Sequence, residues 1–430
     1  MNKPTRSPWT WVPTLYFAEG LPYVMVMTVS VIMYKRFGLS NTEIALYTSW
    51  LYLPWVIKPF WSPFVDILKT KRWWIIAMQL LIGGGLAGVA LTLPTPFYLQ
   101  ASLAFFWLLA FSSATHDIAA DGFYMLALDD SQQSFFVGIR STFYRLAMIT
   151  GQGLLIILAG FLEQSTGKIS LSWSITFFVL SGLFVAFFAY HNFILPYPAG
   201  DVERKDQTPK KILAEFVNTF ASFFSKKGII LAIAFMFLYR LAEAMLVKLA
   251  SPFLLDAREE GGLALSTQEV GLVYGTVGVI ALTIGGIIGG IVASQKGLKF
   301  WLWPMALAIT LPNVAYVFLS MTQPDNIWWV NMAVAIEQFG YGFGFTAYML
   351  YLIYFSEGEH KTAYYSICTG FMALGMMLPG MAAGWIQEQL GYQHFFIFIM
   401  ICTIPTLLLV PFMKIDPEFG KKKINDQTGN

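Results

Sequence analysis

Leu39-Ser40-Asn41-Thr42-Glu43-Ile44 stands before one long apolar run, and Leu265-Ser266-Thr267-Gln268-Glu269-Val270 stands before another, 226 positions later. The echo is not isolated. Ala18-Glu19 returns as Ala242-Glu243 and Ala159-Gly160 as Ala383-Gly384, both 224 positions on. Three matches at nearly one offset predict a chain built of two parallel repeats, each holding half of the apolar runs.

Working outward from the repeat, runs long enough to cross a bilayer as helix occur twelve times. They lie near Trp11–Tyr34, Thr42–Val65, Trp74–Leu93, Phe97–Leu126, Phe135–Leu162, Trp173–Leu195, Ile229–Leu255, Glu269–Ala293, Phe300–Met321, Trp328–Phe355, Ala363–Gln387 and His394–Met413. Composition agrees: 57% of residues are hydrophobic, 17% aromatic and only 12% charged, about half the charged share of a soluble domain. The expected fold is an all-α integral membrane protein of twelve transmembrane helices in two pseudo-symmetric six-helix halves. Residues 1–195 form the first half, 196–228 a linker, 229–413 the second half and 414–430 a tail. With only a short segment ahead of it, polar as far as Pro8, and no cleavage pattern after that segment, the first run is expected to stay as an anchor. In the linker Ile212, Leu213, Phe216, Val217, Phe220 and Phe224 recur at helical spacing beside lysines, which predicts an amphipathic helix on the membrane surface over 208–225.

Lys and Arg counting sets the orientation. With the N-terminus inside, eighteen cations fall on cytoplasmic segments and four, Lys35, Arg36, Lys168 and Arg258, outside, so both termini are expected in the cytoplasm. The net charge of +2 is scattered and excludes a nucleic-acid patch. Cys368 and Cys402, the only cysteines, lie in apolar runs and exclude a disulfide framework or CxxC metal site. No cofactor or metal is expected, and the four histidines stand at separate helix ends without a nucleophile or ligand cluster, which leaves a membrane-embedded enzyme or receptor as the weaker class.

At least ten charges interrupt the apolar runs away from their first turns: Glu19, Asp117, Asp121, Glu243 and Glu337 against Lys58, Arg140, Arg145, Arg240 and Lys248, with His116 alongside. Each costs roughly 2.5 to 3.5 kcal/mol at bilayer depth on the mildest scale, so such residues persist in wet cavities or in pairs. A balanced set of five acids and five bases predicts a polar pathway between helices. Asp121 with Arg140 reads as a fixed ion pair. A proton-carrying carboxylate must change charge, which a neighbouring cation opposes; Glu19 and Glu337 lack a sequence-local cation, whereas Glu243 follows Arg240 by three residues and can be held ionised by it. Arg145 and Arg240 suit two-pronged capture of carboxylate or phosphate. Lys58 is open to two readings, an anion contact or a side chain snorkelling to the interface. Tyr144 is a candidate substrate contact through ring stacking, with a place in the lipid belt or core as the commoner reading for any one of the chain's 72 aromatics.

Several stretches also carry a family resemblance. Trp61-Ser62-Pro63-Phe64-Val65-Asp66 followed by Lys71-Arg72 resembles the loop signature after the second helix of major facilitator superfamily transporters. His116-Asp117-Ile118 with Asp121, Tyr144-Arg145-Leu146, Leu238-Tyr239-Arg240-Leu241-Ala242-Glu243, Glu337 with Gly340, Gly342 and Gly344, and Ala383-Gly384-Trp385 resemble the AmpG muropeptide permeases, and more loosely the related acetyl-CoA transporters. His116 and Arg140 depart from that pattern. The resemblance implies a cavity lined by the first, fourth, seventh and tenth helices, hence by Glu19, Asp117, Glu243 and Glu337. It implies proton-coupled import of anionic sugar-peptides across the bacterial inner membrane by a monomer, with an acetyl-CoA or other bulky-anion carrier as the alternative. Asp66 and Arg72 are expected to act as a conformational latch.

Overall fold

The computed structural model describes residues 6–202, 209–358 and 360–421, without the side chains of 66, 67, 130, 134 and 209–216. All regular structure among them is helical. Among the described residues nine stretches are both long and apolar enough to cross a membrane. They are α1 (Pro8–Arg36), α3 (Lys71–Thr92), α4 (Tyr98–Ala127), α5 (Ser131–Thr166), α6 (Ile169–Ile194), α7 (Ile229–Leu255), α8 (Thr267–Lys296), α9 (Leu298–Thr322) and the 52-residue Lys361–Phe412. That last stretch is two helices meeting at Gly391, whose φ of 71° only glycine adopts readily; they are α11 (361–390) and α12 (392–412). Two more helices are long enough but more polar: α2 (41–68, interrupted at Leu51-Tyr52) and α10 (Ile327–Phe355). The order and length of these stretches are consistent with the twelve expected spans.

The repeat is visible in how helices begin and where they touch. Ser40 and Ser266 each cap a helix by accepting from the backbone N–H of Glu43 and Glu269, whose carboxylates reach back to the cap. Such reciprocal caps satisfy two orphan donors at the helix start. The paired motifs then meet crosswise. A Cβ on Gly384 of α11 would collide with the carbonyl of Asn41 at the start of α2, and one on Gly160 of α5 would strike Gln268 at the start of α8. Only glycine permits these close helix approaches.

Three apolar cores show where the molecule is open. One large core joins α1, α2 and α6 to α7, α8, α9 and α12 through residues such as Val31, Ile44, Trp173, Leu249, Val270, Tyr316 and Phe396. At the opposite end the core is split: Trp11, Tyr16, Ile75, Phe123 and Leu195 pack among α1, α3, α4 and α6, while Phe223, Phe235, Leu302, Tyr348 and Ile367 pack among the second set of helices. Phe223 comes from the helix Pro209–Phe224 between α6 and α7, so a linker helix is present and is docked by that side chain onto α10 and α11. Ile212, Leu213 and Phe216 belong to the undescribed side chains, and Arg204, Lys205, Lys422 and Lys423 to the undescribed residues.

Candidate transport site

Between the two separate cores lies a cavity of about 1040 Å³, open at the end of the bundle that carries Lys69, Lys71, Asp201 and Thr362. Its walls are α1 (Tyr16, Glu19, Tyr23), α2 (Tyr52, Trp55, Lys58), α4 (Asp117, Asp121), α5 (Arg140, Tyr144, Arg145), α7 (Arg240), α8 (Leu282, Gly286), α10 (Tyr341, Phe345, Thr346) and α11 (Tyr365, Thr369). Glu19, Asp117, Lys58, Tyr144, Arg145 and Arg240 are thus brought to one space.

The acids gather on the first set of helices. Asp117 accepts from the Trp55 indole N–H at 3.2 Å and faces the Lys58 ammonium at 3.6 Å; Lys58 therefore turns into the cavity and does not snorkel. Asp121 pairs with Arg140 at 3.0 Å and accepts from Tyr16 at 3.2 Å, while the Arg140 guanidinium covers the rings of Tyr16 and Tyr124. The ion pair expected of these two residues is thus formed, on the cavity wall. Glu19 is 8% exposed and its Oε2 has no partner.

The two central arginines have a different setting. Arg145 reaches across from α5 to the Thr283 hydroxyl of α8 at 3.4 Å. Arg240 is buried among aromatic rings, 4.7 Å from the Phe345 centroid, donates to the Tyr341 hydroxyl, and leaves Nε without a partner. Neither arginine pairs with a carboxylate within 4 Å among the described residues. Guanidinium groups held by rings and hydroxyls keep their forked donors available to a ligand.

Two expectations need correction. Glu243 and Glu337, expected on the cavity wall, lie beyond its closed end. α7 breaks between Leu238 and Leu241, with Arg240 at φ −114° and ψ 12°, so the turn after Arg240 is displaced and Glu243 faces the interior of the second set of helices. Glu337 stands one turn before Tyr341, past the Arg240–Tyr341 hydrogen bond that roofs the cavity, and among the described residues accepts only from its neighbour Gln338. Both are 2% exposed, and Glu243 has no partner at either oxygen. The cavity contributions of α7 and α10 come from Arg240 and from Tyr341, Phe345 and Thr346.

His116, one residue from Asp117, also points elsewhere. It ends a buried chain in which the Thr14 hydroxyl meets His191, His191 meets Gln79 and Gln79 meets His116, at 2.9, 3.0 and 3.1 Å. Arg72 donates to the carbonyls of Asn192 and Leu195 and lies over the Tyr197 ring, which ties it to the end of α6. The Asp66 side chain lies outside the described residues.

Sequence reasoning missed the closed end. There Lys35 pairs with Asp256 at 2.6 Å and donates to Asn41 at 2.9 Å; Asn41 in turn donates to Gln387 and Tyr392 at 2.7 and 2.8 Å. Thr42 binds both oxygens of Glu388. On the other flank Glu163 joins Arg36 at 3.0 Å and Thr267 at 2.9 Å. The signal available was positional: Lys35, Arg36, Asp256 and Glu163 all sit at the ends of apolar runs next to the repeated motifs.

Known proteins place this architecture. The family model described as Major Facilitator Superfamily matches residues 14–357. The chain belongs to the Major Facilitator Superfamily. A relative from Rickettsia conorii designated AmpG 4 is 27% identical over 422 residues, covering 93% of this chain and 94% of the relative. The anhydromuropeptide permease of Escherichia coli K12 is 25% identical over 425 residues, covering 96% and 80%. Among solved structures a D-xylose-proton symporter superposes with a TM-score of 0.73 at 12% identity, covering 96% of this chain and 99% of the symporter. The chain is a secondary transporter of this superfamily, a membrane protein with a small-molecule substrate.

Proposed function

We propose that this transporter imports anhydro-muropeptides, driven by protons, through alternating access of two halves, 1–195 and 229–413, that rock about the cavity. The observation that supports the substrate is the pair of arginines without carboxylate partners, Arg145 on α5 and Arg240 on α7, facing a cavity of about 1040 Å³. That volume stands at the upper end of small-molecule pockets and suits a sugar pair carrying a short peptide. Aromatic walls, Tyr144 and Tyr341 among them, offer faces for sugar rings. A substrate with one or two carboxylates matches this cation count, whereas a CoA ester with three phosphates calls for more. Similarity to the permease named above supports the same substrate.

Lys69, Lys71 and the linker at the open end support a cytoplasmic reading of that end under the positive-inside rule; on that reading the state is inward-facing, both termini lie on the cytoplasmic side of the bacterial inner membrane and the protein acts as a monomer. Glu19, unpartnered at one oxygen and on the cavity wall, is the preferred proton carrier; Asp117, Glu243 and Glu337 rank after it. Asp66 with Arg72 is retained as a cytoplasmic latch, with Arg72 acting through α6. Calorimetric titration of the purified protein tests the substrate: saturable binding of an anhydro-muropeptide, weakened in Arg145→Lys and Arg240→Lys, is expected. Binding of acetyl-CoA but of no wall fragment overturns it.

A further inference from the structure

α7 carries an amine that the cavity does not use. Lys248 is 4% exposed and stands eight residues beyond Arg240, about 12 Å further along a helix, on the sealed side of the cavity roof. Its Nζ donates to the Thr48 hydroxyl of α2 at 3.0 Å, and that hydroxyl is already committed to the Ile44 carbonyl at 2.6 Å. The Tyr52 ring centroid is 5.5 Å away. Gly380 of α11 lies against its aliphatic stem, and the neighbouring Ser49 hydroxyl is buried without a partner. No carboxylate lies within ion-pair distance among the described residues.

An ammonium has three N–H groups and no acceptor. Among the described residues one hydroxyl accepts from it, which leaves two N–H groups without an oxygen partner. A cation taken out of water with so little compensation is costly, and a partnered charge would be the ordinary solution inside a protein. The cost is confined to one arrangement, because the hydroxyl and ring that face Lys248 come from α2 of the first half, while the residue itself, like Gly380 of α11, belongs to the second. These are the faces that part when the sealed end opens, as the alternating-access reading requires. Once apart, they expose Lys248 to water on the route between the extracytoplasmic surface and Arg240.

We propose that Lys248 is the anion contact of the outward-facing state, which takes a carboxylate of the incoming substrate before Arg240 does, and that its burial biases the empty transporter towards opening outward. The inference rests on the import reading for its ligand and on geometry alone for its bias.

Two measurements test it in a background without Cys368 and Cys402. Ser49→Cys, next to Lys248 at the sealed interface, reports opening through its rate of reaction with a membrane-impermeant maleimide added outside. Adding Lys248→Met, which keeps bulk and removes the charge, is expected to slow that labelling roughly tenfold; an unchanged or faster rate overturns the bias. With Lys248→Met alone, the KM for anhydro-muropeptide entering from outside is expected to rise about fivefold or more, while the KM measured from the cytoplasmic face stays within twofold. Equal change on both faces, or none, overturns the contact. Should the Met variant fail to reach the membrane, native Lys248 is probed with impermeant sulfosuccinimidyl acetate: acylation from outside that anhydro-muropeptide suppresses is expected, and absence of either acylation or protection overturns the proposal. If the parent chain takes up no anhydro-muropeptide, the substrate reading falls, but the Ser49→Cys rate still decides for or against Lys248.

Discussion

Glu19, Arg145 and Arg240 differ in what holds them, and that difference separates their expected behaviour. Glu19→Gln keeps the shape of a side chain whose Oε2 has no partner and removes its titration; the variant is expected to lose accumulation against a gradient while retaining substrate exchange across the membrane. Glu337→Gln, beyond the Arg240–Tyr341 roof, is expected to lose less, and full accumulation by Glu19→Gln in a counterflow and uptake pair would move the proton site to Asp117, Glu243 or Glu337. Arg240 lies over Phe345 and Arg145 spans to Thr283, so lysine cannot copy either planar fork. Each Arg→Lys change is expected to weaken anhydro-muropeptide binding by about 1.5–3 kcal/mol, the worth of a hydrogen bond to a charged group, as read by titration calorimetry. The positions of these residues along their helices were legible from sequence, because counting from the ends of apolar runs fixes depth. Their facing was not. A break at Tyr239-Arg240 rotates the remainder of α7, so that Glu243, which an unbroken helix would carry to the cavity wall, stands behind it.

At the level of helices, the repeated motifs carry the seal. The starts of α2 and α8 fit against Gly384 and Gly160, and the flanking charges Lys35–Asp256 and Arg36–Glu163 fasten the same ends. Removing one partner of a buried pair leaves the other uncompensated, at a cost of roughly 3–5 kcal/mol. Asp256→Asn is therefore expected to destabilise the sealed state, raising external labelling of a cysteine placed at Ser49 and slowing the return step of transport more than substrate binding. Unchanged labelling would place the seal in the apolar core alone. The echo at offsets of 224 and 226 made the two halves readable, since it is local in sequence. It could not show that each motif meets the other half's glycine, because Asn41 and Gln387 are 346 residues apart and no periodicity encodes such a contact.

Across the whole molecule, one continuous core at the sealed end and two separate cores at the open end describe a transporter caught with its cavity facing one side. Twelve apolar runs fixed the membrane class, since helix length against bilayer thickness leaves few alternatives. Which end is open was not readable, because it is set by contacts between helices far apart in sequence, which no periodicity encodes. The most direct measurement is uptake into proteoliposomes that hold an internal pH indicator, with an inward proton gradient and labelled anhydro-muropeptide outside. Saturable accumulation of the muropeptide accompanied by internal acidification, both lost in Glu19→Gln, is the expected result. Uptake without proton movement, or saturable uptake of acetyl-CoA with none of the muropeptide, would contradict it.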